Sequence, residues 1–136
     1  MKALNTNVKI THENSKIYLL FTGIDDIDFY KTGFADYTDD LWKVISQSKW
    51  RTDGKYIYSG TKTLHKIIME YWYGKDCHKK MIGNGFVVDH IDNDGFNCLY
   101  ENLEFLNRIK NWFYKGNYYD IERAKKIPMA AVNIFK

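Results

Sequence analysis

Asp89 and His90 stand side by side at the end of a short apolar run, FVVDH, and a polar, turn-rich segment, IDNDGFNCLYEN, follows them. Asn102 closes that segment, and Asn111 comes nine positions later. A carboxylate and an amide oxygen are hard ligands of the kind that suit Mg²⁺ or Mn²⁺. An imidazole beside such a cation can take a proton from water near neutral pH. Together these groups suit hydrolysis of a phosphodiester, which needs an activated water and stabilisation of the charge on the phosphate and the departing oxygen. Adjacent residues of a strand point to opposite faces. Asp89 and His90 therefore serve one site only if the chain turns after them, and the segment beginning at Ile91 is expected to supply the turn.

A calcium loop is the competing metal reading. That pattern wants acids at positions 1, 3 and 5, Gly at 6 and Glu at 12. Counted from His90, the chain offers His90, Asp92, Asp94, Gly95 and Glu101, four of the five positions. Histidine is a poor calcium ligand, and MIGNGFVVD does not read as the helix that should precede such a loop. Asp92 and Asp94 are expected to make turn hydrogen bonds.

The elements that must position these residues follow from the patterning. VKITHE and KIYLLFTG, separated by Asn14-Ser15, read as a hairpin or two short strands. The acidic stretch GIDDIDFYKTGFADYTDD reads as a surface connection that ends in a cap, Thr38 or Asp39, for the short helix DDLWKVISQ. SKWRTDGKYIYSGTKT reads as a small hairpin turning at Thr52-Asp53-Gly54. LHKIIMEYWYG has helical spacing, with Thr63 as N-cap and Gly74 at its end. A Lys- and Gly-rich link leads to the strand FVVDH, then the ordered loop, a strand LEFL, a helix NRIKNWFYKG and a last helix over YYDIERAKKI. Trp50, Trp72 and Trp112 are expected in the core, His12 and His78 on the surface, and Asn107 as the cap of the helix after LEFL.

Charge is segregated along the chain. Residues 24–40 carry six acids and one base, residues 41–81 nine bases and three acids, residues 82–104 five acids and no Lys or Arg, and residues 105–136 seven bases and two acids. An acidic island between basic flanks suits a site that holds a cation while its surroundings hold a phosphate backbone. The overall charge of +3 is too small to argue for nucleic acid by itself.

With 136 residues, 45% of them hydrophobic and 17% aromatic, the chain fits one domain with a real core. Cys77 and Cys98 stand alone, which excludes a zinc knuckle and a disulfide framework. MKALNTNVKI has no apolar run suited to a signal peptide, and no stretch approaches a membrane span. A reduced, cytoplasmic protein without membrane association is expected.

FVVDHIDNDGFNCLYENLEFLNRIKN resembles the HNH motif of phage-type homing endonucleases and free-standing phage nucleases, in the variant whose third motif residue is Asn. LWKVISQSKWRTDGKYIYSGTKTLHKIIMEYWYG is similar to the region before the motif in such proteins, so the resemblance covers roughly residues 41–115. It implies an α+β fold: a ββα-metal motif over 86–116, preceded by a small antiparallel strand and helix part over 1–80 and followed by a tail or helix over 117–136. It implies a DNA endonuclease in which Asp89 and Asn111 ligate one divalent cation, Mg²⁺ or Mn²⁺. His90 would be the general base, and Asn102 would hold the loop and orient the histidine. The alternative is a DNA-binding regulator that keeps the fold without the activity.

DNA is the expected partner. Lys49, Arg51 and Lys55 in the hairpin, His65 and Lys66 at the start of the central helix, and Arg108, Lys110 and Lys115 on or beside the motif helix are candidates for contact with its phosphates. A monomer would nick one strand; a homodimer would bring two sites together.

Overall fold

The computed structural model describes residues 3–24 and 28–107. Beyond its first residue, Asn107, the expected helix NRIKNWFYKG lies outside the described residues, as does YYDIERAKKI, and with them Arg108, Lys110, Asn111, Trp112 and Lys115. The described chain is mixed α+β, with three helices and three small antiparallel sheets.

Strands β1 (Thr6–Glu13) and β2 (Lys16–Gly23) form the expected hairpin. Asn14 and Ser15 take φ of 52° and 64° at its turn, the left-handed geometry that a two-residue hairpin loop demands. The acidic stretch is not a plain connection. Its second half is a third strand, β3 (Tyr30–Asp36), paired antiparallel with β2. The residues that β3 buries are Gly33 and Ala35, too small to register as an apolar alternation. A Cβ on Gly33 would run into the far end of the Ile57 side chain, so β3 comes close to the rest of the molecule at this glycine.

Helix α1 (Asp39–Gln47) starts where expected, with the Thr38 hydroxyl accepting from the Leu41 N–H at 3.0 Å. The next segment is a three-stranded sheet, β4 (Arg51–Thr52), β5 (Ile57–Ser59) and β6 (Lys62–Thr63), one strand more than a simple hairpin. Helix α2 (Leu64–Tyr73) is capped by Thr63 and stops at Gly74, whose φ is 89°. The Lys- and Gly-rich link is a helix as well, α3 (Lys75–Gly83). It buries Cys77, His78 and Met81, a face too sparsely apolar to stand out in sequence. Strands β7 (Phe86–His90) and β8 (Leu103–Asn107) pair antiparallel around the polar loop, which ends in a single 3₁₀ turn over Tyr100–Asn102.

One hydrophobic cluster joins these layers. Ile17, Leu19 and Phe21 of β2 meet Leu41 and Ile45 of α1, Leu64, Ile68 and Met69 of α2, and Leu103 and Phe105 of β8. Phe96 and Cys98 of the polar loop belong to the same cluster, each 0% exposed. A loop with two fully buried side chains is held by burial as firmly as a strand, at roughly 2 kcal/mol for the phenylalanine alone. Trp50 is in the core as expected, whereas Trp72 is 38% exposed and His78 is buried, both against expectation. No described helix is long and apolar enough to cross a membrane.

Candidate active site

The site is built on the end of β7. Strand pairing runs through His90, which lies opposite Leu103, while Asp89 lies opposite Glu104. The chain then turns: the Asn93 N–H donates to the His90 carbonyl at 2.9 Å, with Asn93 at φ 64°. The expected turn is therefore present, but it begins after His90. Alternation sends the two side chains to opposite faces of the strand, Asp89 to the Glu104 side and His90 to the Leu103 side.

Asn102 closes the loop. Its side-chain oxygen accepts from the Asp92 N–H at 3.1 Å, and its amide nitrogen donates to the Asp92 carboxylate at 2.9 Å and to the Asn97 carbonyl at 2.8 Å. Its backbone carbonyl takes the Ile91 N–H at 2.8 Å. Asp92 and Asp94 make turn hydrogen bonds as expected: the Asp94 N–H donates to Asp92 and the Phe96 N–H to Asp94. Burial pulls the Asp92 carboxyl up, but the bonds from Asn97, the Asp94 N–H and Asn102, with His90 nearby, hold it below the ordinary carboxylate value. Strands rather than helices flank this loop, which removes the context a calcium loop needs.

The acidic strand β3 clamps the loop from outside. The Phe34 N–H donates to the Phe96 carbonyl at 2.9 Å, and the Cys98 N–H donates to the Phe34 carbonyl at 2.8 Å. The Asp36 carboxylate accepts from the Tyr100 N–H at 2.6 Å, and Lys31 pairs with Asp94 at 3.2 Å while lying over the Phe96 ring. From the other side, the turn between β4 and β5 presses on Gly95. A Cβ there would collide with the Lys55 carbonyl and the Tyr56 ring.

His90 is only 5% exposed, and its surroundings were not foreseen. His65, at the start of α2, meets it edge-on with centroids 4.9 Å apart, and Tyr56 lies 5.8 Å away. Cys98 Sγ sits 3.8 Å from His90 Nε2. His65 Nδ1 is buried without a hydrogen-bond partner among the described residues. Burial first, then the neighbouring His90 and His78, lower the His65 pKa to about 3, so the ring is neutral at physiological pH. The His65 ring is thus turned inward against His90 and Tyr56.

Asp89 is 8% exposed and Glu104 2%, a buried carboxylate pair in direct cross-strand register. Such oxygens are the donors a hard divalent cation takes. Among the described residues no group of three or more His, Cys, Asp or Glu is arranged to hold a metal ion, and the other expected ligand, Asn111, lies outside them. The donor chemistry on the Asp89 side fits Mg²⁺ or Mn²⁺; His90, on the opposite face, is not part of that donor set. Glu104 was discoverable in principle, because LEFL alternates and pairs with FVVDH. Tyr56 and Cys98 carry no sequence signal of nearness to His90.

Of the expected DNA contacts, Lys49, Arg51 and Lys55 are exposed and Lys66 is half-buried. Lys55 is brought to the site loop through its contact at Gly95, while the Arg51 guanidinium lies over Tyr58, 5.1 Å from the ring centroid. Compared with family models, with curated proteins and with solved structures, the chain matches none.

Proposed function

We propose that this protein is a metal-dependent DNA endonuclease whose active centre is the end of β7 and the loop it enters. The observation that carries the reading is the placement of His90. It sits at the last position of β7, at the root of a loop that Asn102 ties shut with three side-chain hydrogen bonds. A base so held keeps one orientation, which proton transfer to a positioned group requires.

In this reading a phosphodiester lies across the end of the strand. His90 takes a proton from the attacking water on one side. Asp89 and Asn111 would hold a divalent cation on the other, which when bound supplies charge stabilisation at the phosphate. The Asp89–Glu104 carboxylates favour a hard cation over a thiophilic one. Lys55, beside the loop, with Arg51 and Lys49 on the same sheet and its approach, holds the DNA backbone and fixes its register without reading sequence. β7, the loop and β8 fit the strand–loop–strand part of a ββα-metal motif.

The 5% exposure of His90 favours a second reading, a DNA-binding regulator that keeps this fold without cleaving. A plasmid-nicking assay with Mg²⁺ or Mn²⁺ separates the two. The wild type is expected to relax supercoiled DNA, and His90→Ala to do so at least about 100-fold more slowly, the usual contribution of a general base. Equal cleavage by both proteins removes His90 from the mechanism. Binding without cleavage by either selects the regulator.

A further inference from the structure

We propose that the cleft between α2 and α3, floored by His78 and rimmed by Lys66, Lys75 and Lys79, takes a phosphate of the DNA backbone away from the scissile bond. The cleft holds about 380 Å³, within the range of ligand sites. Lys75 and Lys79 are exposed and Lys66 is half-buried, so three ammonium-bearing side chains border one concave surface. Two acids line it as well. Glu70 is paired with Lys62 at 3.5 Å, and Asp76 lies in the first turn of α3, where a carboxylate meets the positive end of the helix. The cleft keeps a surplus of positive charge, and α3 itself starts at Gly74 with no side-chain cap. A helix start beside lysines suits a phosphate.

His78 turns a basic surface into a built site. Its ring is 6% exposed, packs on Phe105 with centroids 5.9 Å apart, and makes no hydrogen bond among the described residues. A buried polar ring is costly without a partner, and the cleft that His78 lines is where one would lie. Burial lowers its pKa, with Glu70 opposing and Lys66 and Lys62 adding, so at neutral pH the ring is uncharged and offers one N–H. The cleft also lies close to the end of β7. His65, next to Lys66 on α2, touches the His90 ring and feels the charge of His78 as well. A duplex held at the end of β7 reaches this cleft with its neighbouring backbone. The proposal rests on the DNA-binding part of the reading above; the shape and charge of the cleft do not.

The test is fluorescence anisotropy of a labelled DNA duplex over a salt series, with plasmid nicking alongside. Replacing Lys66, Lys75 and Lys79 together by Ala is expected to lower the slope of log affinity against log salt by about 1, the share of one phosphate contact. A control that replaces three exposed lysines elsewhere, Lys9, Lys16 and Lys43, by Ala should keep the wild-type slope. His78→Phe keeps a ring against Phe105 and removes the donor. It should bind at least about tenfold more weakly at unchanged slope, because it loses a hydrogen bond to a charged group but no charge. An unchanged slope in the Lys66, Lys75 and Lys79 variant overturns the proposal, as does an equal fall in the control; neither measurement needs His78→Phe to fold. A His78→Phe protein that melts cooperatively and binds like the wild type overturns it too. Binding that runs through this cleft in a protein that nicks no DNA sinks the endonuclease reading and leaves the proposal standing; a nicking enzyme whose slope ignores these lysines does the reverse. A wild type that binds no duplex removes both.

Discussion

Lowering the pH from 7 to 5 is expected to remove about 2 kcal/mol of folding stability through His65 alone. In the unfolded chain this histidine titrates near 6.5, whereas in the folded protein its pKa is lowered to about 3. Between those values the unfolded state binds the proton and the folded state does not, so acid favours unfolding. The loss is small at pH 7 and grows by about 1.4 kcal/mol for each pH unit below 6.5. It is complete only below about pH 3. The cause is visible in the packing: a ring wedged edge-on between His90 and Tyr56, with a buried Nδ1 that no described residue bonds. His78, also lowered by burial, adds to the loss in the same direction. Asp53 and Asp92, both held low, give stability that is present above the unfolded carboxylate value near 4 and lost below it, so they contribute little in this window. Urea unfolding of the wild type and of His65→Phe at pH 7 and pH 5 measures the effect. Phenylalanine keeps the ring contacts and cannot be protonated. The variant is expected to lose about 2 kcal/mol less than the wild type over this interval. Equal losses in the two proteins would refute the burial argument.

Gly95→Ala is expected to destabilise by about 2 kcal/mol or more, because its Cβ meets the backbone carbonyl of Lys55 and the Tyr56 ring, not the end of a flexible side chain. Gly33→Ala overlaps the flexible end of Ile57 and only touches the Phe96 carbonyl, at 3.4 Å, so it should lose less; thermal melts in which the two are equal contradict this distinction. Replacing Lys49, Arg51 and Lys55 together by Ala is expected to lower the slope of log affinity for DNA against log salt by roughly 3, at about 0.9 for each phosphate contact. An unchanged slope takes the β4–β5 sheet off the DNA-binding face.

Elements with a strong local signature were legible. The β1–β2 hairpin carries its turn in Asn14-Ser15, α1 and α2 carry caps in Thr38 and Thr63, and FVVDH and LEFL bracket a loop of turn-formers. The elements that escaped, β3 and α3, bury small or mixed residues: Gly33 and Ala35 in one, Cys77, His78 and Met81 in the other. Hydrophobic periodicity detects large apolar side chains, and neither element presents them. Trp72 shows the converse error, since an aromatic at helical spacing need not face the core.

Asp89 and His90 were singled out by their types and by their place at the end of an apolar run, whereas the loop role of Asn102 came from the resemblance to the HNH motif. These are properties of contiguous sequence, fixed by the period of the strand and the chemistry of turns. What surrounds His90 is not. Tyr56, His65 and Cys98 come from three separate segments, and only the burial of Phe96 and Cys98 in the common core, with β3 clamped across the loop, brings them against one ring. The opposite facing of Asp89 and His90 was likewise decided by the tertiary structure, because strand pairing continues through His90 before the chain turns. Residue type and local spacing mark which groups can do chemistry; long-range packing sets which atoms they meet, because side-chain contact depends on how separate elements share one core.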